Sequence, residues 1–151
     1  MGVDRELRRR RRNSPPFIQL FAYMLASPAW LASSLAARCA LVELTRLYNG
    51  RNNGQLALSA RGLAERLGTS KDTAARALNE LEIRGFIETV KAGSFRPRLR
   101  RATEYRLTTH RCDVTLQPPS RAFMKWRPSY QSPPKTHPEA KSHPEDSPVR
   151  N

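Results

Sequence analysis

"LAERLGTSKDTAARALNELEIRGFIE", residues 63–88, decides how this chain folds. Ala74, Ala77, Leu78 and Leu81 follow the i, i+3, i+4, i+7 spacing of one helix face. Ser70 stands where a hydroxyl can accept from the free amides of a first turn, so the spacing predicts a helix from Ser70 to about Arg84. Just upstream, "ARGLAERLG" (60–68) predicts a shorter helix that follows Ser59, buries Leu63, Ala64 and Leu67 and stops at Gly68. A glycine reverses the chain tightly because it lacks the Cβ that penalises left-handed backbone. The second helix is therefore expected to brace the third while leaving its first turn exposed.

Outward from this pair, "GFIETVK" (85–91) and "TEYRLT" (103–108) read as strands. In the latter, Thr103, Tyr105 and Leu107 alternate with Glu104, Arg106 and Thr108, which predicts one buried and one solvated face. "AGSFRPRLRRA" (92–102) joins them as a hairpin loop with four arginines and no acid. On the N-terminal side, "QLALS" (55–59) reads as a brief strand, and "YNGRNNG" (48–54) stops a helix expected from about 30 to 48. Leu35, Leu41, Leu44, Leu47 and Tyr48 are its expected buried stripe, and Phe17, Leu20, Phe21, Met24 and Leu25 predict another helix over 17–25.

With turn, helix and basic hairpin in this order, the sequence resembles the winged helix-turn-helix family of DNA-binding domains over residues 30–108. Ala64, Gly68, Ser70, Thr73, Ala77, Leu78, Leu81, Gly85 and Ile87 carry the resemblance; Thr69 departs from the usual apolar residue of the turn. More loosely, the chain looks like helix-turn-helix proteins of bacterial genomes and mobile elements. The resemblance implies an α+β, mainly helical fold with a basic β-hairpin wing. It also implies double-stranded DNA binding in transcriptional control. Replication initiation, a mobile-element role and a winged-helix protein-interaction module are the alternatives.

With Ala74, Ala77, Leu78 and Leu81 turned inward, the outer side of the helix offers Ser70, Lys71, Asp72, Thr73, Arg76 and Asn79 or Glu80. An exposed first turn can reach base edges in a major groove about 12 Å wide. Ser70, Lys71, Thr73 and Arg76 are therefore the expected recognition residues. Ser70 doubles as the cap, and Asp72 complements the helix dipole. Lys91, Ser94, Arg96, Arg98, Arg100 and Arg101 are the expected wing contacts, with phosphate as their target. Phe95 either packs under the hairpin or enters a base step.

The composition agrees. Among 151 residues, 27 Lys+Arg against 13 Asp+Glu give a net charge of +14, which concentrates polyanions around the chain whatever its fold. The length suits one domain of about 100 residues with tails. Residues 1–14 form a basic arm expected to be disordered, 15–116 the domain, and 117–151 a Pro-rich disordered tail holding eight of the twelve prolines. "RAFMKW" (121–126) is the patch of that tail expected to dock, through Phe123 and Trp126.

Other functions find little support. Cys39 and Cys112 are far apart, and His110, His137 and His143 do not complete a metal-ligand spacing, so no metal or cofactor is expected. The sequence carries no phosphate loop, no HExxH and no nucleophile triad in a suitable context, and no enzyme or small-molecule ligand is expected. Arg8–Arg12 followed by a run without charge to Ala37 imitates a membrane anchor. Gln19, Ser27, Ser33, Ser34 and prolines 15, 16 and 28 interrupt that run, so a cytoplasmic, nucleoid-associated protein without membrane partner is expected. A homodimer through the 30–48 helix is the alternative use of its apolar stripe.

Overall fold

The computed structural model describes residues 16–96 and 99–129, with the side chains of 95–100 outside the described set. The basic arm at 1–14, Arg8–Arg12 within it, and the tail from 130 onward with His137 and His143 also lie outside it.

Among the described residues, five α-helices come in the order α1 (Ala22–Leu25), α2 (Pro28–Leu31), α3 (Leu35–Leu47), α4 (Ala60–Leu67) and α5 (Lys71–Ile83). Strand β1 (Leu56–Ala57) precedes α4. After α5 come β2 (Ile87–Lys91), β3 (Ser94–Arg96), β4 (Leu99–Arg101) and β5 (Glu104–Leu107). Strands β1, β5 and β2 form an antiparallel sheet in that order, while β3 and β4 pair as the outer part of the hairpin. This is an α+β winged helix-turn-helix.

Hydroxyl caps set the helix boundaries. Ser34, Ser59 and Ser70 accept from the amides of Ala37, Gly62 and Thr73 at 3.1, 3.0 and 3.1 Å. Such a cap stabilises a helix by about 1 kcal/mol relative to alanine. Gly68 ends α4 at φ 63°, ψ 36°, the left-handed conformation that lets α5 begin three residues later. As the spacing predicts, α5 buries Ala74, Ala77, Leu78 and Leu81.

Ahead of α3 the expected helices are broken up. Phe21 is extended and residues 16–21 form no helix, so the 17–25 helix shrinks to the single turn α1 and Phe17 is 83% exposed. Ser27 ties two turns together by accepting from Trp30 N and donating to Met24 O, with Pro28 at the first position of α2. Ser33 closes α2 onto Ala29 O, and Ser34 starts α3. The expected 30–48 helix is therefore two helices. Leu35 leaves the predicted stripe: as the first residue of α3 it faces outward, 79% exposed, and the buried face is Ala37, Ala40, Leu41, Leu44 and Thr45.

The central strand departs from its predicted alternation as well. Tyr105 pairs with Leu56 on one side and Thr89 on the other, and Tyr105, Arg106, Leu107 and Thr108 are all buried. Arg106 lies on the face expected to meet water, but its guanidinium is bound to the Glu88 carboxylate, whose other oxygen accepts from Ser120 Oγ at 2.6 Å. Burial pushes the Glu88 carboxyl up, yet these bonds outweigh it and hold the carboxyl below its ordinary value.

Ser120 belongs to the segment after β5, which packs across this part of the domain. Arg121 N donates to Thr108 O, Phe123 N donates to Gly85 O, and Phe123 stacks on Phe86 with centroids 5.1 Å apart. Phe123 is wholly buried among the core residues.

Candidate nucleic-acid interface

Helix α5 divides its thirteen residues among three tasks. One face is core. A second binds neighbouring elements: the Glu80 carboxylate accepts from Ser34 N at 2.8 Å, Ser34 Oγ at 2.6 Å and Arg84 Nε at 2.9 Å. Burial raises the Glu80 carboxyl, but these donors more than cancel it and leave it below its usual value. Glu82 accepts from Thr89 N at 3.1 Å and so ties the end of the helix to β2. Of the pair Asn79 or Glu80, it is Asn79 that stays exposed.

The third face is open. Lys71, Asp72, Ala75, Arg76 and Asn79 are exposed along it. At its N-terminus Ser70 Oγ and Thr73 Oγ1 lie 2.9 Å apart, and Ser70 also accepts from Thr73 N, so the two hydroxyls are engaged in the cap. Thr73 is half-buried. Arg76 bends back, with Nε donating to Asp72 O at 3.4 Å.

Beside this face the hairpin forms the wall of an open cleft of about 650 Å³. Lys71, Ala75, Asn79 and Glu82 line it from α5, Arg61 from α4, and Ser94, Arg101 and Thr103 from the hairpin. The hairpin bends where Gly93 N donates to Thr103 Oγ1; a Cβ at Gly93 would lie 2.7 Å from Arg101 O, so a side chain there would push the strands apart. Beyond the bend, Ser94 pairs with Arg101, Phe95 with Arg100 and Arg96 with Leu99. Arg98 lies outside the described residues, and for Phe95, Arg96 and Arg100 only the backbone is described. Lys91 is exposed on β2 but does not line the cleft.

The structure thus brings Lys71 and Arg101 together and sets Arg76 further round the helix. It adds Arg61, which the sequence reading missed. Its position in the first turn after the Ser59 cap was the available signal, since a second helix N-terminus opens on the same cleft. Glu65 faces Arg61 at 3.4 Å, but both side chains are more than two-thirds exposed and the pair is weak in water.

His110, considered above for metal, packs its ring against Tyr48 and Phe21, with centroids 4.6 and 5.5 Å away, and Nδ1 meets Thr109 Oγ1 at 2.8 Å. Among the described residues no helix is long and apolar enough to cross a membrane.

Residues 47–94 match the model of the MarR family, a winged helix-turn-helix family of transcription regulators. The match runs from the end of α3 through α4 and α5 to the first residue of β3. Comparison with curated proteins and with solved structures found no match.

Proposed function

We propose that this winged helix-turn-helix protein binds double-stranded DNA through the first turns of α5 and the basic hairpin, and acts as a transcriptional regulator. One observation carries the reading: Arg61, Lys71 and Arg101, from three different elements, converge on one cleft beside the exposed crest of α5. Glu82 is the acid of that cleft, and its carboxylate is already bound to the Thr89 amide. Seated in a major groove, the crest presents Arg76 and Asn79 to base edges, Ser70 and Thr73 organise the helix amides for phosphate, and Lys71 lies at the groove wall. Lys91, Ser94, Arg96, Arg98, Arg100 and Arg101 follow the backbone as the wing.

Regulators of the matched family are typically dimers. A dimer of this protein would select a palindrome with half-sites about one helical turn apart. Its place of action is the nucleoid, in the cytoplasm.

Fluorescence anisotropy of a labelled duplex, titrated across a salt series, tests the reading. Changing Arg98, Arg100 and Arg101 together to Ala should weaken binding and flatten the plot of log K against log salt by roughly one unit per lost phosphate contact. Binding by the variant with an unchanged slope removes the wing from the interface. Failure of the intact protein to bind any duplex favours a protein-interaction module.

A further inference from the structure

On the other side of the α5 crest a second groove runs between the helix and the segment that follows β5. Arg76, Asn79 and Ile83 line it from the helix, and Trp126, Arg127 and Ser129 from the C-terminal segment. Asn79 borders both grooves. The crest is therefore flanked by the hairpin on one side and by the C-terminal segment on the other.

The segment is built to hold that position. Phe123 is buried against Phe86, Phe123 N donates to Gly85 O, and the Arg84 guanidinium stacks on Trp126 at 4.6 Å. Gly85, at φ 78°, is the residue over which the chain passes; a Cβ there would stand 2.7 Å from Ala122 C and Phe123 N.

Its charge is equally one-sided. Residues 121–129 carry Arg121, Lys125 and Arg127 and no acid, whereas 130–151 balance Lys135, Lys141 and Arg150 against Glu139, Glu145 and Asp146. Lys125 and Arg127 are exposed. Glu80 also borders the groove, but it already holds Ser34 and Arg84, so it does not counter them.

We infer that the docked C-terminal segment is a second phosphate-contacting element, which grips the DNA backbone on the side of the recognition helix opposite the wing. The inference rests on the DNA-binding reading above. The geometry favours a duplex. A helix with its side chains is about 10–12 Å across and the major groove is about 12 Å wide, so a helix seated in it has a phosphate wall along each flank. Arg61, Lys71 and Arg101 line the groove on one flank, and Arg127 lines the groove on the other.

The test compares four full-length variants by duplex anisotropy across a salt series: Lys125→Ala with Arg127→Ala, Arg127→Lys, Arg101→Ala in the wing, and Arg51→Ala, an exposed cation of the loop before β1. Thermal unfolding monitors the fold of each. The double variant should weaken binding several-fold and flatten the salt slope by one to two units, about one per lost contact, while Arg127→Lys and Arg51→Ala keep the original slope. If Arg101→Ala flattens the slope and the double variant does not, the second contact is refuted and the DNA-binding reading stands. An equal loss in Arg51→Ala also refutes it, because net charge alone would then be the cause. If the intact protein binds no duplex, both fall together.

Discussion

Replacing Phe123 with Ala asks whether the segment after β5 is part of the folded domain or a tail lying on it. The ring is fully buried, stacks on Phe86 at 5.1 Å and 12° between planes, and lies 6.0 Å from the Tyr23 ring. Truncating a buried Phe to Ala removes its transfer free energy and leaves a cavity, at a cost of about 3–5 kcal/mol. The walls here are the Phe86 ring and the turn at Gly85, both held by the sheet, so little collapse is available and the upper half of that range applies. A kcal/mol shifts the midpoint of a domain this size by roughly 4 °C, which predicts a fall of about 15 °C or more in thermal unfolding followed by circular dichroism. Met124, the next residue, is 44% exposed, and Met124→Ala should move the midpoint by no more than about 2 °C. If Phe123→Ala unfolds within 3 °C of the parent, Phe123 is not a core residue, and the platform for Lys125 and Arg127 is lost with it.

Two further outcomes concern the polar framework. Glu43, Glu80 and Glu88 all have carboxyls held below their ordinary value: in each, burial raises it, and Arg46 with Arg66, Ser34 with Arg84, and Ser120 with Arg106 respectively overcome that. A carboxyl with a lower value in the folded state binds fewer protons there than in the unfolded chain. Its stabilisation is therefore complete above the unfolded value of 4.5 and is lost as pH falls below it. Unfolding midpoints should fall modestly below pH 6.5, where burial keeps the His110 imidazole neutral while that of the unfolded chain protonates, and more steeply below about 5; Glu80→Gln should soften the steep part, and an identical profile would remove Glu80 from the cause. Asn53, wholly buried, donates through Nδ2 to Leu107 O, His110 O and Arg111 O and accepts from Leu107 N at 2.6 Å. Asn53→Asp places a carboxylate against three carbonyls, so urea unfolding at pH 7 should show a loss of about 2–4 kcal/mol, partly recovered at pH 5 as the acid protonates; equal losses at both pH values would refute the electrostatic account.

The two kinds of residue above also separate what was legible in the sequence from what was not. Helix α5 was readable because its cap, its apolar period and its terminating Gly85 are all local, and local signals agree with the fold there. Leu35 misled because periodicity weighs a leucine more than an alanine, whereas the buried face of α3 includes the small residues Ala37 and Ala40. Arg106 and Thr108 misled for another reason: alternation along one strand cannot reveal what will cover its outer face, and that cover comes from Ser120 and the backbone of Arg121. Asn53 has no periodic signature at all, since its partners lie 54 to 58 residues away. The cleft was half legible: a cap followed by exposed cations marked Lys71, while Arg61 could be joined to it only once the helices were placed.

The distribution of charge on α5 bears on what kind of reading the proposed interface can perform. Glu80 and Glu82 accept hydrogen bonds from Ser34 and Thr89, and Arg84, just past the end of the helix, stacks on Trp126, so all three are engaged within the protein. The crest that remains is nearly neutral and low, since Ala75 is small, Asn79 is uncharged, and Asp72 stands one helical turn from Arg76. Its cations stand at the edges instead: Arg61, Lys71 and Arg101 on one side and Arg127 on the other. In the proposed complex most of the binding free energy therefore comes from phosphate contacts at the flanks, which is sequence-blind and salt-dependent. Discrimination falls to Arg76 and Asn79, side chains suited to guanine and adenine edges, each worth about 1–3 kcal/mol against a wrong base. A selection from random duplexes should then return a short motif containing G and A at adjacent steps, with affinity that changes more between 50 and 200 mM salt than between best and median sequence. A selected motif whose preference survives Arg76→Ala and Asn79→Ala would place the readout on another element and overturn this assignment.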